Sequence, residues 1–328
     1  MSSENHFKRR LRRTWKRVAR ASRAVPERFL VSLAWHVIPR LSRSWVLLFS
    51  RAGGYVYTLL GRRDRKVIEA NLDLVFGSAT CRLDRRRLVR DICTNVVRML
   101  LDCFWFARNN RTRILEYVSL DPGFEALKKS CDPVVAVTGH MGSWELVAQV
   151  LSLHGRRGTS VYAPIGGPAT QQLLLKMRAQ NGQDLVPREG AVLPLLRALR
   201  RGDLVGLLLD QRTPLREGGV FVDFLGRKTT MSKAAGTLSV RLKVPVVTLW
   251  CRHVGEGRYL AEVLDFLPPD HGMNETEVTQ WVADSLGKAI RHFPEQWLWM
   301  YRRWRHVPDG EDPARYPFYS IPHNPDVD

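Results

Sequence analysis

The sequence predicts an α/β fold in which helices flank a central mixed sheet, preceded by a helical segment that associates with a membrane. From residue 133 onward, short apolar runs suited to buried strands alternate with amphipathic helical stretches. Residues 62–118 instead carry apolar side chains at helical spacing. A chain of 328 residues that is 45% hydrophobic and 25% charged can bury a sizeable core.

The first 61 residues divide into a basic arm and broken apolar pieces. Residues 1–28 hold ten Lys or Arg and two Glu, and no apolar region of a secretory signal follows them directly, so they predict a disordered basic tail. Residues 29–61 are apolar but interrupted by Arg40, Arg43 and Arg51, and no piece reaches the ~20 apolar residues that span a bilayer. This pattern favours helices lying on an anionic membrane surface. The alternative is a pair of core helices.

The predicted elements of the next part of the chain rest on periodicity and on caps. Residues 62–76 carry apolar side chains at the spacing of an amphipathic helix, and residues 83–106 continue in that style. The run 133–138 (PVVAVT) suits a buried strand, and 143–154 a helix that Ser143 begins and Gly155 ends. The remaining predictions are a strand at 159–162, helices at 168–180 and 191–200, a strand at 203–209, a loop over 211–229, a helix at 232–242, strands at 244–251 and 258–264, and a helix at 275–293.

Two groups of residues sit where strands end, which is where open α/β sheets gather reactive groups. His140 follows the first strand in a turn bounded by Gly139 and Gly142, and Glu145 lies in the first turn of the next helix. Residues five apart on one helix lie on different faces, so the turn is needed to bring the two together. The pattern predicts an imidazole base that the Glu145 carboxylate orients. A histidine that merely lies beside a helix cap is the equal alternative.

The second group is Asp210-Gln211, directly after the strand 203–209. These residues face a site or cap a turn. Two arginines between the groups, Arg178 and Arg188, are candidates for clamping a phosphate or a carboxylate. In a chain this rich in arginine, a solvated side chain is the common alternative for either one.

The composition and the absence of several motifs narrow the class of protein. The formal net charge of +19 predicts anionic partners: nucleic acid, anionic lipid or an acidic carrier protein. The run 294–305 is dense in tryptophan and arginine, and either stacks on nucleic-acid bases or caps an α/β core. The sequence has no GxxxxGK[ST], GxGxxG, HExxH or GxSxG. The five cysteines show no CxxC spacing, so we predict neither a zinc site nor disulfides, and a reducing, cytosolic setting.

Taken in order, these blocks resemble the bacterial lipid A biosynthesis acyltransferase family, which includes the late lauroyl and myristoyl transferases and the mycobacterial phosphatidylinositol mannoside acyltransferase. The family's His-x4-Asp/Glu matches His140 to Glu145, and its Asp-Gln step matches Asp210-Gln211. Its glycine-rich segment matches 219–227, and its closing signature matches 294–304. Its upstream arginine matches Arg178, with Arg188 also in register.

The resemblance implies acyl transfer from an acyl thioester to a lipid hydroxyl at the cytoplasmic face of the inner membrane, by an acyltransferase α/β domain over 62–306 that a tail over 307–328 follows. It implies His140 as the base, Glu145 as its partner, and Arg178, Arg188, Asp210 and Gln211 as residues that hold the acceptor or support the pocket. Backbone N–H groups near the glycines would stabilise the oxyanion. It implies no metal and no cofactor.

Three interpretations remain open at this stage. The first is a lipid A acyltransferase that uses acyl carrier protein, whose acidic surface suits a basic enzyme. The second is a glycolipid or phosphatidylinositol mannoside acyltransferase that uses acyl-CoA. The third is a basic protein that binds nucleic acid or a membrane without catalysis. The first two predict an anionic membrane surface as a partner and no nucleic acid.

Overall fold

A computed structural model describes residues 29–77, 82–163 and 167–323. The prediction of a disordered tail over 1–28 lies outside these residues. Within them, the strands are β1 Val118–Leu120, β2 Val134–Thr138, β3 Gly158–Tyr162, β4 Asp184–Pro187, β5 Leu204–Leu208, β6 Gly219–Phe224, β7 Arg227–Ser232, β8 Val246–Gly255, β9 Arg258–Leu267, β10 His306–Val307 and β11 Ile321–Pro322. The helices are α1 29–37, α2 Arg43–Leu60, α3 Arg62–Phe76, α4 Arg82–Trp105, α5 Asn110–Tyr117, α6 Pro122–Lys129, α7 Trp144–Leu153, α8 Pro168–Arg178, α9 Val192–Arg200, α10 Ala234–Leu242 and α11 Glu275–His292.

The central sheet has seven strands in the order β1-β9-β8-β2-β5-β3-β4. The strands β8, β2, β5, β3 and β4 run parallel, whereas β9 pairs antiparallel with β8 and β1 follows the direction of β9. The predicted mixed sheet with flanking helices is therefore confirmed. Its centre, β2, is buried along its whole length, as its continuous apolar sequence indicates for a strand covered on both faces.

The two faces of the sheet carry separate cores. Alternate residues of β2 divide between them, because successive side chains of a strand point to opposite faces. Val135 and Val137 join the core under α10 and α11, and Val134 and Ala136 join the core under α7. In α11, the buried residues Val278, Val282, Leu286 and Ile290 recur every four positions, and a capping box of Asn274 and Glu277 begins the helix.

The helical segment at 29–60 packs on the domain through a narrow stripe. In α2 the buried residues Val46, Ser50 and Gly54 recur every four positions and face α4. A Cβ built on Gly54 would lie 2.5 Å from the Cα of Thr94, so only glycine allows the two helices to approach this closely. In the part of the chain that the structure describes, no helix meets the length and hydropathy required of a membrane span. Association with a membrane surface stays a prediction.

One prediction was wrong: the loop over 211–229 contains most of a hairpin, β6 and β7, which forms its own two-stranded sheet. Its two-residue turn places both Leu225 and Gly226 at positive φ, 57° and 85°. Tight hairpins need positive φ at both central positions, and a leucine does not signal that conformation. The glycines at 218, 219 and 226 therefore indicated a loop instead of the end and turn of a strand pair.

The closing aromatic run caps the core. Trp297, Trp299 and Trp304 are each at most 2% exposed, and Trp297 packs near-perpendicular to Trp299 with ring centroids 4.7 Å apart. Residues 307–323, predicted as a tail, also contact the domain, because Tyr316 and Tyr319 are buried and the Tyr319 hydroxyl donates to Asn71. Since the tryptophan rings are inside the protein, they are not placed to stack on nucleic-acid bases.

Candidate active site

The candidate site lies at the carboxyl edge of the sheet, between two neighbouring parallel strands. In the register of β2 and β5, Thr138 is opposite Leu208. His140 and Asp210 each follow these residues by two positions, so they leave the sheet side by side. The strand order brings together two residues that are 70 positions apart in the sequence.

His140 is held by Asp210. Its Nδ1 lies 2.7 Å from Asp210 Oδ1, and the second carboxylate oxygen accepts a hydrogen bond of 2.8 Å from the indole N–H of Trp297. An ionised carboxylate can only accept, so Nδ1 carries the proton and Nε2 is left with its lone pair. Gln211 Nε2 lies 3.4 Å from that nitrogen, with the amide orientation assigned from the hydrogen-bond network. His140 therefore has the tautomer of a general base.

The electrostatics of this pair are those of an imidazole beside a buried carboxylate. Burial lowers the pKa of His140, but the charge and hydrogen bond of Asp210 outweigh it, so the pKa lies above its ordinary value. Burial likewise raises the pKa of Asp210, but His140 and the Trp297 hydrogen bond outweigh it and hold that pKa below its usual range. Asp210 stays ionised and stabilises a proton that His140 takes up.

Glu145 does not make the predicted contact with His140. Its carboxylate instead forms two hydrogen bonds with Arg178, of 2.8 Å to Nε and 2.6 Å to Nη2. Both side chains are largely buried, and the pair joins the first turn of α7 to the last residue of α8. Burial lowers the pKa of Arg178, but Glu145 outweighs it and the pKa is raised. The orienting role expected of Glu145 thus falls to Asp210, for which the resemblance implied holding the acceptor or supporting the pocket.

The other predicted binding residues differ in whether they contact His140. Both oxygens of Asp210 are occupied, so this carboxylate supports the site and is not placed to hold an acceptor. Gln211 faces His140, as a residue in contact with a substrate would. Arg188 is half-exposed and pairs with Glu217. Sequence reasoning missed Trp144, whose ring lies edge-on to His140 with centroids 5.0 Å apart, and Trp297. Only the high density of tryptophan near 297 signalled a special role.

Backbone contacts clamp the loop that carries His140. Leu298 N–H donates to the His140 carbonyl at 3.1 Å, and Gly142 and Ser143 N–H donate at 2.8 Å to the carbonyls of Gln296 and Cys251. Met141 N–H donates back to Gly139. The expectation that the glycine-flanked N–H groups serve an oxyanion is therefore wrong for 141–143. At this edge the N–H groups of Trp144 and Glu145 begin α7, where intrahelical acceptors are lacking, whereas Leu146 N–H donates at 3.0 Å to the Ser143 carbonyl.

Gly142 is expected to be irreplaceable in this loop. Its φ is +57°, and a Cβ there would lie 2.2 Å from the Cys251 carbonyl oxygen. Gly142→Ala should lower the free energy of unfolding by at least about 3 kcal/mol, because the strained φ adds to a backbone clash. Chemical denaturation measures this. Gly155→Ala is the matched control, since Gly155 also has positive φ but has open space around it and should cost only about 1–2 kcal/mol. Equal losses would contradict the clamped loop.

A mostly apolar cavity lies between α7 and the sheet, and Trp144, whose ring contacts His140, is among the residues that line it. Its empty volume, counted out to the solvent, is about 480 Å³. Thr138 and Trp144 line it at the catalytic edge, Val147 and Leu151 along α7, and Leu204 at the far end. The cavity runs along β5, whose five residues span ~13 Å from the first Cα to the last. Its mostly apolar lining suits a hydrocarbon chain.

No cluster of three or more His, Cys, Asp or Glu side chains suited to a metal occurs among residues 29–77, 82–163 and 167–323. The arrangement at the carboxyl edge can hold a proton at His140 Nε2, stabilise it through Asp210, and accommodate an apolar chain within reach. A histidine held in this way can act as a general base toward a hydroxyl group.

Comparisons with known proteins point the same way. Residues 16–306 match the model of the bacterial lipid A biosynthesis acyltransferase family. A lipid A biosynthesis acyltransferase of Haemophilus influenzae is 26% identical over 60% of this chain and 61% of its own length. The lipid A biosynthesis lauroyltransferase of Escherichia coli is 24% identical over 78% of this chain and 83% of its length.

A phosphatidylinositol mannoside acyltransferase of Mycolicibacterium smegmatis is 24% identical over 61% of this chain and 65% of its own length. The alignments with the Haemophilus and Mycolicibacterium proteins each span slightly less than two thirds of the relative, whereas the family model covers nearly the whole chain. With the base, its carboxylate and the apolar cavity in place, the chain belongs to the bacterial lipid A biosynthesis acyltransferase family and is an acyltransferase that acts on lipids.

Proposed function

We propose that this protein transfers a fatty acyl group from acyl carrier protein to a hydroxyl of a lipid A precursor at the cytoplasmic face of the inner membrane. The observation that carries the proposal is His140, held by Asp210 at 2.7 Å beside a cavity that suits an acyl chain. The names of the Haemophilus and Escherichia relatives support lipid A as the product class. The basic chain, with a net charge of +19, favours an acidic carrier as donor.

In the proposed reaction, the acyl chain enters the cavity with its thioester carbonyl at the mouth. Nε2 of His140 takes the proton from the acceptor hydroxyl as its oxygen attacks the carbonyl carbon, and Asp210 stabilises the imidazolium. The tetrahedral intermediate then collapses, the C–S bond breaks, and His140 returns the proton to the leaving thiolate. The N–H groups of Trp144 and Glu145, at the start of α7, are the backbone donors assigned to the oxyanion. The pair of Glu145 and Arg178 fixes the start of α7, where those donors lie.

The acceptor reaches the site from a membrane surface that α1 and α2 contact. These helices expose a continuous set of large apolar side chains with basic residues around it, the composition of an interfacial segment on anionic lipid. The exposed apolar residues are Phe29, Leu30, Leu33, Val37, Trp45, Leu48, Phe49, Tyr55, Val56, Leu59 and Leu60. The exposed basic residues are Arg40, Arg51, Arg62, Arg63 and Lys66.

Charged substitutions on this surface should release the protein from membranes. Leu48 and Leu59 are 49% and 51% exposed, so Leu48→Glu with Leu59→Glu should leave folding nearly unchanged. Binding to anionic vesicles should weaken at least about tenfold, because apolar contact is lost and negative charge is added. Vesicle co-sedimentation measures it. The control is Leu193→Glu on α9, which is 53% exposed, but α9 packs on the core of the other face of the sheet from α2. If both variants bind as the parent does, α1 and α2 are not the docking surface.

A second candidate keeps the chemistry but changes both substrates: acyl-CoA as donor and a phosphatidylinositol mannoside as acceptor. It is favoured by the similarity to the Mycolicibacterium enzyme. The non-catalytic alternative loses its main argument, since Trp297, Trp299 and Trp304 are buried. No substitution is needed to separate the two enzymatic candidates.

The deciding experiment offers the purified full chain each donor with each acceptor and detects the products by mass spectrometry. We expect transfer from acyl carrier protein to the lipid A precursor and none with the His140→Ala variant. Transfer only from acyl-CoA to the mannoside would replace the first candidate by the second. A His140→Ala variant with full activity would remove the proposed mechanism for both.

A further inference from the structure

A second cluster of polar side chains lies near the catalytic edge and takes no part in the mechanism above. It surrounds a small cavity between the β6–β7 hairpin and the C-terminal segment, of about 250 Å³ when counted out to the solvent. The polar residues that line it are Arg212, Thr229, Thr230, His306 and His323. All of them can donate hydrogen bonds, and none is a carboxylate.

Arg303 is a fully buried cation, 0% exposed, that does not line the cavity itself but contacts two residues that do. Its Nη1 donates at 2.8 Å to the Thr229 hydroxyl and to the Thr230 carbonyl, and its guanidinium lies 4.8 Å from the centroid of the Phe224 ring. Its Nε and Nη2 are buried without a hydrogen-bond partner in the described structure. No carboxylate of the described residues forms an ion pair with it. A buried charge without an ionic partner is destabilising, so an anion bound beside it would stabilise the folded protein.

Two residues that line the cavity also have buried polar atoms without a hydrogen-bond partner among the described residues. These atoms are the Thr230 hydroxyl and both ring nitrogens of His323. Within residues 29–77, 82–163 and 167–323, Asp309 is the acid that approaches His323, at 3.9 Å, and it is almost fully exposed. Burial lowers the pKa of Arg303 to about 10, and Arg212 adds to this effect while Asp210 opposes it. The cavity and its surroundings thus combine positive charge with the unused polar atoms of Arg303, Thr230 and His323.

We propose that this cavity, which we call the Arg303 cavity, binds a phosphate group. Guanidinium, hydroxyl and imidazole donors around one small space recognise a phosphate better than a singly charged carboxylate. Arg212 follows Gln211, whose amide reaches His140, so the bound phosphate would lie next to the reacting groups. The assignment of that phosphate to a substrate rests on the proposed function. The group belongs either to the phosphopantetheine arm of the donor or to a phosphorylated lipid headgroup.

The first arm of the test needs no catalysis. The melting temperature of the full chain is measured with inorganic phosphate, and with acetate at the same ionic strength. A ligand that binds the folded state raises the melting temperature, so we expect a rise with phosphate alone. Arg212→Gln and Thr230→Val should each lose most of this rise. Arg216→Gln should keep it, because Arg216 is exposed on the same loop and does not line the cavity. Equal melting temperatures in the two salts, or a rise that Arg212→Gln retains, would overturn the proposal.

The second arm identifies the source of the phosphate by KM. Arg212→Gln should raise KM about tenfold for the substrate whose phosphate the cavity holds, the size expected for one charge-assisted hydrogen bond. Acyl-CoA is therefore compared with acyl-pantetheine, which lacks phosphate, and a phosphorylated acceptor with its dephosphorylated form. An effect on acyl-CoA alone assigns the donor, and an effect on the phosphorylated acceptor alone assigns the lipid. Phosphate-specific stabilisation with unchanged KM values would assign free phosphate. If the unaltered protein transfers no acyl group, the proposed function fails while the first arm still decides the proposal.

Discussion

Asp210→Asn is expected to lower kcat about 10²- to 10⁴-fold while the protein stays folded. The asparagine amide can keep the contact with Trp297 through its oxygen, but it then presents an N–H group to His140 Nδ1. The imidazole must then accept that hydrogen bond at Nδ1 and carry its proton on Nε2. A general base needs a free lone pair on Nε2. A base in the wrong tautomer cannot take a proton from the acceptor. The rate of acyl transfer at saturating substrates measures this.

The pH profile gives the same variant a second, more specific readout. In the parent, Asp210 raises the pKa of His140, and only neutral imidazole acts as a base, so activity should increase as pH rises through that raised pKa. Removing the negative charge lowers the pKa of His140. The acidic limb of the residual activity should therefore move to lower pH in Asp210→Asn. A limb that stays in place, together with a small loss of kcat, would show that Asp210 does not act through His140.

Much of the fold follows from local patterns, whereas the partner of His140 does not. The helix at 62–76 was predicted with its observed bounds, because its apolar spacing marks it within the segment itself. The run 133–138 was recognised as a buried strand for the same reason. Each of these depends on residues near one another in the chain.

The contact between His140 and Asp210 depends instead on strand order. It requires β5 to lie directly beside β2, and nothing within either strand specifies its neighbour. Glu145 is the carboxylate nearest in sequence to His140, so reasoning from spacing selected it. Its true partner, Arg178, comes from the end of another helix. Position at the end of a strand identified both His140 and Asp210, but only the sheet shows that they meet.

Arg178→Met is expected to lower the free energy of unfolding by about 3 kcal/mol. The pair of Arg178 and Glu145 is largely buried, with side chains 16% and 11% exposed, and removing one partner leaves the other charge without compensation. Glu145→Gln should cost about as much. In a protein of this size, such a loss shifts the melting temperature by several degrees. Denaturant unfolding of both variants measures the effect.

The double variant Arg178→Met with Glu145→Gln distinguishes a structural pair from a catalytic one. Because no buried charge is then left unpaired, we expect it to recover most of the stability that each single change removes. Losses that add in the double variant would contradict the pairing. The recovered protein also isolates the chemistry: acyl transfer by the double variant reports what the carboxylate at 145 contributes beyond holding α7 and α8 together. A loss of activity in Glu145→Ala alone cannot assign catalysis to Glu145, because that change also leaves the Arg178 charge buried beside the site.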